Sequence, residues 1–145
     1  MKSQILVVDD DHAVRAVAVD ILKAAGYPIL EAAGASHAME LLKEHSSVAL
    51  LFTDINMPAI NGYVLADMAV TRSPGLRVLY TTGTIDIYRV GERPGSLHGE
   101  MLAKPYRAPE LITAVGRSLS WPRSSWGPCR RSSEWVEPQF SGMRE

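Results

Sequence analysis

Five short apolar runs, separated by stretches of helical period, constrain this chain more than any other feature. The runs ILVV (5–8), PIL (28–30), VALLF (48–52), LRVLY (76–80) and EMLA (100–103) have the length of strands. The first and third are apolar throughout, the pattern of strands buried on both faces of a parallel sheet. Between the first two, Val14, Val17, Ala18, Ile21 and Leu22 recur at helical spacing, and Gly26 and Pro28 close the pattern. Residues 36–44 (Ala38, Leu41, Leu42), 62–72 (Val64, Leu65, Met68) and 107–119 (Leu111, Ile112, Val115, Leu119) read as further helices. A weaker helical stretch at 85–95 is interrupted by Gly91, Pro94 and Gly95. The alternation predicts an α/β doubly wound fold: a five-stranded parallel sheet with right-handed crossovers and helices on both faces.

The 145 residues suffice for one domain with a real core, expected over 1–120. From residue 121 the pattern stops. The stretch WPRSSWGPCRRSSEWVEPQFSGMRE holds all three tryptophans but only one residue from Leu, Ile and Val, so 121–145 reads as a disordered or loosely docked tail. It is too short and irregular for a DNA-binding helix pair. A net charge of −1 offers no electrostatic footprint for nucleic acid or an anionic membrane. The single cysteine, Cys129, leaves no internal disulfide and suits a reducing compartment. The opening MKSQILVVDDD has too short an apolar run for a signal peptide or membrane helix, and the expected location is cytoplasmic.

In a parallel sheet of this kind ligands bind beyond the carboxyl ends of the strands. There the sequence places Asp9, Asp10 and Asp11 after the first run, Asp54 after the third, Thr81, Thr82 and Gly83 after the fourth, and Lys104 and Pro105 after the fifth. Two carboxylates about 4 Å apart repel by roughly 4 kcal/mol at an effective dielectric near 20, so converging acids call for a cation. Mg²⁺ fits hard oxygen ligands of this number. Asp11, next to the first helical residues, is placed to cap the helix. Pro105 holds Lys104 out of helical geometry and fixes its direction.

ILVVDDD, LLFTDINMP with the following NGY, VLYTTG and LAKPY, in this order, resemble the receiver domain of two-component response regulators over about residues 3–120. The resemblance implies the strand order 2-1-3-4-5. It also implies that Asp54 is a phosphoacceptor and that Asp10 binds Mg²⁺ directly, as do Asp54 and the main-chain carbonyl of Asn56, with Asp9 acting through water. Thr82 would bond the phosphoryl group, and Lys104 would pair with the carboxylate and then with the phosphate. Cations flanking Asp54 in this way favour its ionised form. Thr82 is chosen over Thr81 because the family's hydroxyl precedes a small residue, here Gly83. The donor would be a histidine kinase or histidine phosphotransfer protein, and the target another protein. A phosphorylation-dependent homodimer is compatible with this. One position departs from the pattern: Met101 stands where the family usually has an aromatic ring three residues before its lysine.

Two other readings fit part of the pattern. Asp9 and Asp11 resemble the first motif of haloacid-dehalogenase-like phosphohydrolases, with Asp9 as nucleophile. A receiver-like interaction module that is never phosphorylated is the second. Phosphate labelling separates the three: at Asp54, transiently at Asp9, or not at all.

Overall fold

Each apolar run overlaps a strand, and the helical stretches supply the crossovers. A computed structural model describes residues 2–83 and 98–120 of the protein. In chain order its elements are β1 (Gln4–Val8), α1 (His12–Ala24), β2 (Ile29–Ala32), α2 (Ala35–Glu44), β3 (Val48–Asp54), α3 (Gly62–Arg72), β4 (Arg77–Thr82), β5 (Gly99–Ala103) and α4 (Ala108–Ser120). All four strand pairings are parallel, and the order is β2-β1-β3-β4-β5. The helix expected at 85–95 and the tail at 121–145 lie outside the described residues. No helix among the described residues is long and apolar enough to cross a membrane.

Three strands run further than their apolar residues. β2 reaches Ala32, β3 includes Thr53 and Asp54, and β4 includes Thr81 and Thr82. Polarity hid these ends in the sequence, but the ladder continues: the Ile55 N–H donates to the Thr81 carbonyl at 3.0 Å and the Lys104 N–H to the Thr82 carbonyl at 2.7 Å. The reactive carboxylate candidate is therefore the last residue of a strand, held by sheet geometry.

Alternation divides the core into two layers. Leu6, Val8, Leu51, Val78 and Tyr80 face α2 and α3, whereas Ile5, Val7, Leu50, Phe52 and Leu79 face α1 and α4. The helices bury part of the expected stripes, with Ala18, Leu22, Ala38, Leu42, Leu65, Leu111 and Val115 inside, but not all of them. On α1, Val17 is 55% exposed and the buried positions are Ala18, Val19 and Leu22. On α3, Val64 and Met68 are exposed while Tyr63, Leu65, Ala66 and Ala69 are buried; on α4, Ile112 is exposed and Leu111, Ala114, Val115 and Ser118 are buried. Alanine is the reason. A small side chain lets a helix approach the sheet closely, so Ala66, Ala69 and Ala114 take contact positions that hydrophobicity alone assigns to larger neighbours.

The turn into α1 is built by Asp11, whose Oδ1 accepts the N–H groups of Ala13 at 3.0 Å and Val14 at 3.2 Å. Asp11→Ala is expected to lower stability by about 1 kcal/mol in urea unfolding, with the fold unchanged by circular dichroism.

Candidate functional site

The site grows out of one row of the sheet. Val7, Phe52 and Leu79 are register partners across β1, β3 and β4 on the α1/α4 face. Two residues further along each strand stand Asp9, Asp54 and Thr81, with Asp54 and Thr81 themselves paired. Alternation thus sends polar groups upward on the line where apolar groups fill the core below.

Asp9 and Asp54 are only 4% and 5% exposed, whereas Asp10 is exposed. Lys104, following β5 and joined to Pro105 by a cis peptide bond, bridges the two buried acids. Its Nζ lies 3.4 Å from Asp9 Oδ2 and 3.5 Å from Asp54 Oδ1. Asp9 Oδ1 accepts the Asp11 N–H at 2.9 Å, and Asp54 Oδ1 the Asn56 N–H at 3.4 Å. Oxygen atoms of Asp9, Asp10 and Asp54 lie within 4.8 Å of one another. Three hard oxygen donors at that spacing, one of them facing solvent, fit Mg²⁺, which keeps several waters.

Flanking cations by themselves favour the ionised form of Asp54. Burial pushes its pKa up to about 6, Lys104 pulls it down and Asp9 raises it again, so the carboxyl sits above its ordinary range but stays mostly ionised at neutral pH. The Lys104 ammonium by itself does not fully offset the loss of water around Asp54.

The turn after Asp54 closes on itself. The Gly62 N–H donates to the Ile55 carbonyl at 2.9 Å, and Asn61 caps α3 through the Val64 N–H at 3.0 Å. A Cβ at Gly62 would sit 2.3 Å from the Asp54 carbonyl oxygen, so only glycine allows α3 to start this close to the site. Asn56 is exposed beside Asp54. Thr82 is fully buried, with its hydroxyl donating to the Gly83 carbonyl at 3.3 Å. Met101 pairs in register with Tyr80, which is completely buried and packs its ring 5.5 Å from that of Tyr63. An aromatic ring therefore stands one strand over from the family's aromatic position. Asp11 gives its Oδ1 to the helix cap, so the acid of the Asp9/Asp11 pair is turned toward α1.

Two residues had no assigned role in the sequence. Tyr106, in the LAKPY stretch, packs edge-on against Phe52 with ring centroids 6.2 Å apart. Burial, and then Asp9 and Asp54, push its phenol up to about 12. It is a neutral wall beside the acids. Arg15 donates from Nη1 to the Asp9 carbonyl at 2.7 Å and from Nε to Glu31 at 3.1 Å, and its Nη2 lies 3.0 Å from His12 Nδ1. The signal for it was present: helical side chains tilt toward the N-terminus, so an arginine one turn into α1 reaches back to the acidic loop.

The family model of the response regulator receiver domain matches residues 5–116. The chain belongs to that family. The receiver protein CpdR of Brucella abortus is 29% identical over 116 residues, spanning 80% of this chain and 96% of CpdR. The response regulator FleR of Pseudomonas aeruginosa is 32% identical over 119 residues, but the match spans only 24% of FleR. Sporulation initiation phosphotransferase F of Bacillus subtilis is 27% identical, spanning 82% of this chain and 95% of that protein. Among solved structures, the receiver domain of the hybrid histidine kinase CckA superposes with a TM-score of 0.69 at 29% identity, covering 81% of this chain and 100% of that one. A CheY-like protein of Methanospirillum hungatei gives 0.71 at 23% identity, covering 88% and 100%, a likeness of fold.

In this receiver domain the raised pKa of Asp54 has a measurable consequence. An ordinary value of 3.8 becomes about 6 on folding, so between these pH values the native state holds a proton that the unfolded chain has released. In EDTA, stability at Asp54 is expected to fall as pH rises through this window, by on the order of 2 kcal/mol. Asp54→Asn should lack that fall and be the more stable protein above it. Urea unfolding of both proteins across the window checks the sign.

Proposed function

We propose that this receiver domain is a phosphoacceptor of a two-component pathway and that Asp54 accepts the phosphoryl group from phosphohistidine on a kinase or phosphotransfer protein. The observation that carries this reading is a buried carboxylate at a strand end within 3.5 Å of the Lys104 ammonium and beside the oxygens of Asp9 and Asp10. An Asp54 oxygen forms a bond to phosphorus while the phosphorus–nitrogen bond of the donor breaks, and its electron pair leaves with the imidazole. Lys104 is placed to turn from the carboxylates to the incoming phosphoryl oxygens, and the ladder of β3 holds Asp54 in line. Mg²⁺, held by Asp10, Asp54 and the Asn56 carbonyl with Asp9 acting through water, would supply further positive charge to those oxygens.

Thr82 is the hydroxyl assigned to the phosphoryl group, exchanging the Gly83 carbonyl for a charged acceptor. That movement would alter the surface of β5 and α4, which a protein target or a second copy of the chain would read. The domain acts as a cytoplasmic signalling module that assists its own phosphorylation and dephosphorylation, and it needs no nucleic acid or membrane for this. With Met101 beside Tyr80 instead of an aromatic on β5, the relay runs without the usual ring.

Acetyl phosphate or a cognate kinase should label the wild-type chain in Mg²⁺, and Asp54→Asn should take no label while remaining folded. An Asp54→Asn variant labelled at the same site and stoichiometry would end this assignment. Metal titration should show affinity lost strongly in Asp10→Ala, less in Asp9→Ala and hardly in Asp11→Ala. Dominance of Asp11 would instead favour the phosphohydrolase arrangement.

A further inference from the structure

Thr81 carries an unexplained hydroxyl. The residue is 2% exposed, and its Oγ1 has no hydrogen-bond partner among the described residues. Buried hydroxyls are normally bonded, and valine would fill the same space on a strand without that cost. The neighbouring threonines do find partners, Thr53 with the Asp54 carbonyl at 3.0 Å and Thr82 with that of Gly83. Thr81 is also the register partner of Asp54. Paired residues on adjacent parallel strands send their side chains from the same face, with the strands about 4.8 Å apart. Thr82, one residue on, starts from the opposite face.

We propose that the Thr81 hydroxyl is a donor kept for the phosphorylated form of Asp54, and that it sets the lifetime of the acyl phosphate. The inference rests on Asp54 being the acceptor. In the free carboxylate, Asp54 Oδ1 faces Lys104 and the Asn56 N–H. Once one oxygen carries phosphorus and Lys104 turns to the phosphoryl group, the other is an acyl oxygen that has lost the ammonium and can take a further donor. Thr81, the register partner of Asp54, carries the neighbouring hydroxyl on that face. In hydrolysis, the oxygen of water forms a bond to phosphorus and the bond from phosphorus to Asp54 breaks. Its electron pair returns to the carboxylate, and the proton of water leaves with inorganic phosphate. Negative charge grows on the departing carboxylate, so a hydrogen bond from Thr81 speeds this step.

The test uses the full chain labelled with radioactive acetyl phosphate, freed of donor, and followed for loss of label in Mg²⁺. Thr81→Val should hold its label about three- to tenfold longer than wild type, the effect of one hydrogen bond to a developing charge. Thr81→Ala should also be slow, and Thr81→Ser, which keeps the hydroxyl, should decay like wild type. In the unphosphorylated state Thr81→Val should melt no lower than wild type, which separates the effect from loss of packing. Unchanged or faster decay in a normally labelled Thr81→Val overturns the proposal, as does slow decay in only one of the two hydroxyl-free variants. A wild-type chain that takes no label at Asp54 instead brings down the acceptor reading, and this inference with it.

Discussion

The site depends on carrying a polar row on top of an apolar one without breaking the sheet. Val7, Phe52 and Leu79 pack the α1/α4 face, and the next side chains on that face at β3 and β4 are Asp54 and Thr81. A parallel strand buried on both faces has no solvated side on which to place a charge, so its charge belongs at the carboxyl end. Even there Asp54 is nearly enclosed, and Lys104 must lie against it. Removing one partner of such a cluster leaves the rest buried and uncompensated.

Rigidity around the cluster comes from short local bonds rather than from its charges. Asp11 spends its side chain on the cap of α1, Asp9 receives the Asp11 N–H, and Arg15 ties the Asp9 carbonyl to Glu31 at the edge of β2. Gly62 brings α3 against the Asp54 main chain from the other side. Oxygen atoms that repel one another are thus held in place by groups that gain from being there, the arrangement expected where a site is organised before its ligands arrive.

Legibility in the sequence followed period and order. The strands, their parallel alternation and the appearance of Asp9, Asp10, Asp54, Thr82 and Lys104 at strand ends are one-dimensional signals. The helix faces were less legible. Val17, Val64, Met68 and Ile112 have the hydrophobicity of contact residues and are exposed, while the sheet accepts the smaller Ala66, Ala69 and Ala114 at close range. Arg15 and Tyr106 escaped notice for a related reason: the worth of each lies in what another element brings beside it.

The sequence by itself determined the type and order of the elements, and hence the edge at which chemistry is possible, because side-chain period and strand ends are local properties of the chain. Only the tertiary structure decided how charge behaves at that edge. A carboxylate with a lysine in its motif reads as an ordinary acid, and it takes enclosure by the fold with a second acid alongside to raise Asp54 to about 6. The two adjacent threonines are likewise alike in sequence. Strand register puts Thr81 beside Asp54 and starts Thr82 from the opposite face, since neighbours across a sheet are set by pairing between distant segments and not by adjacency along the chain.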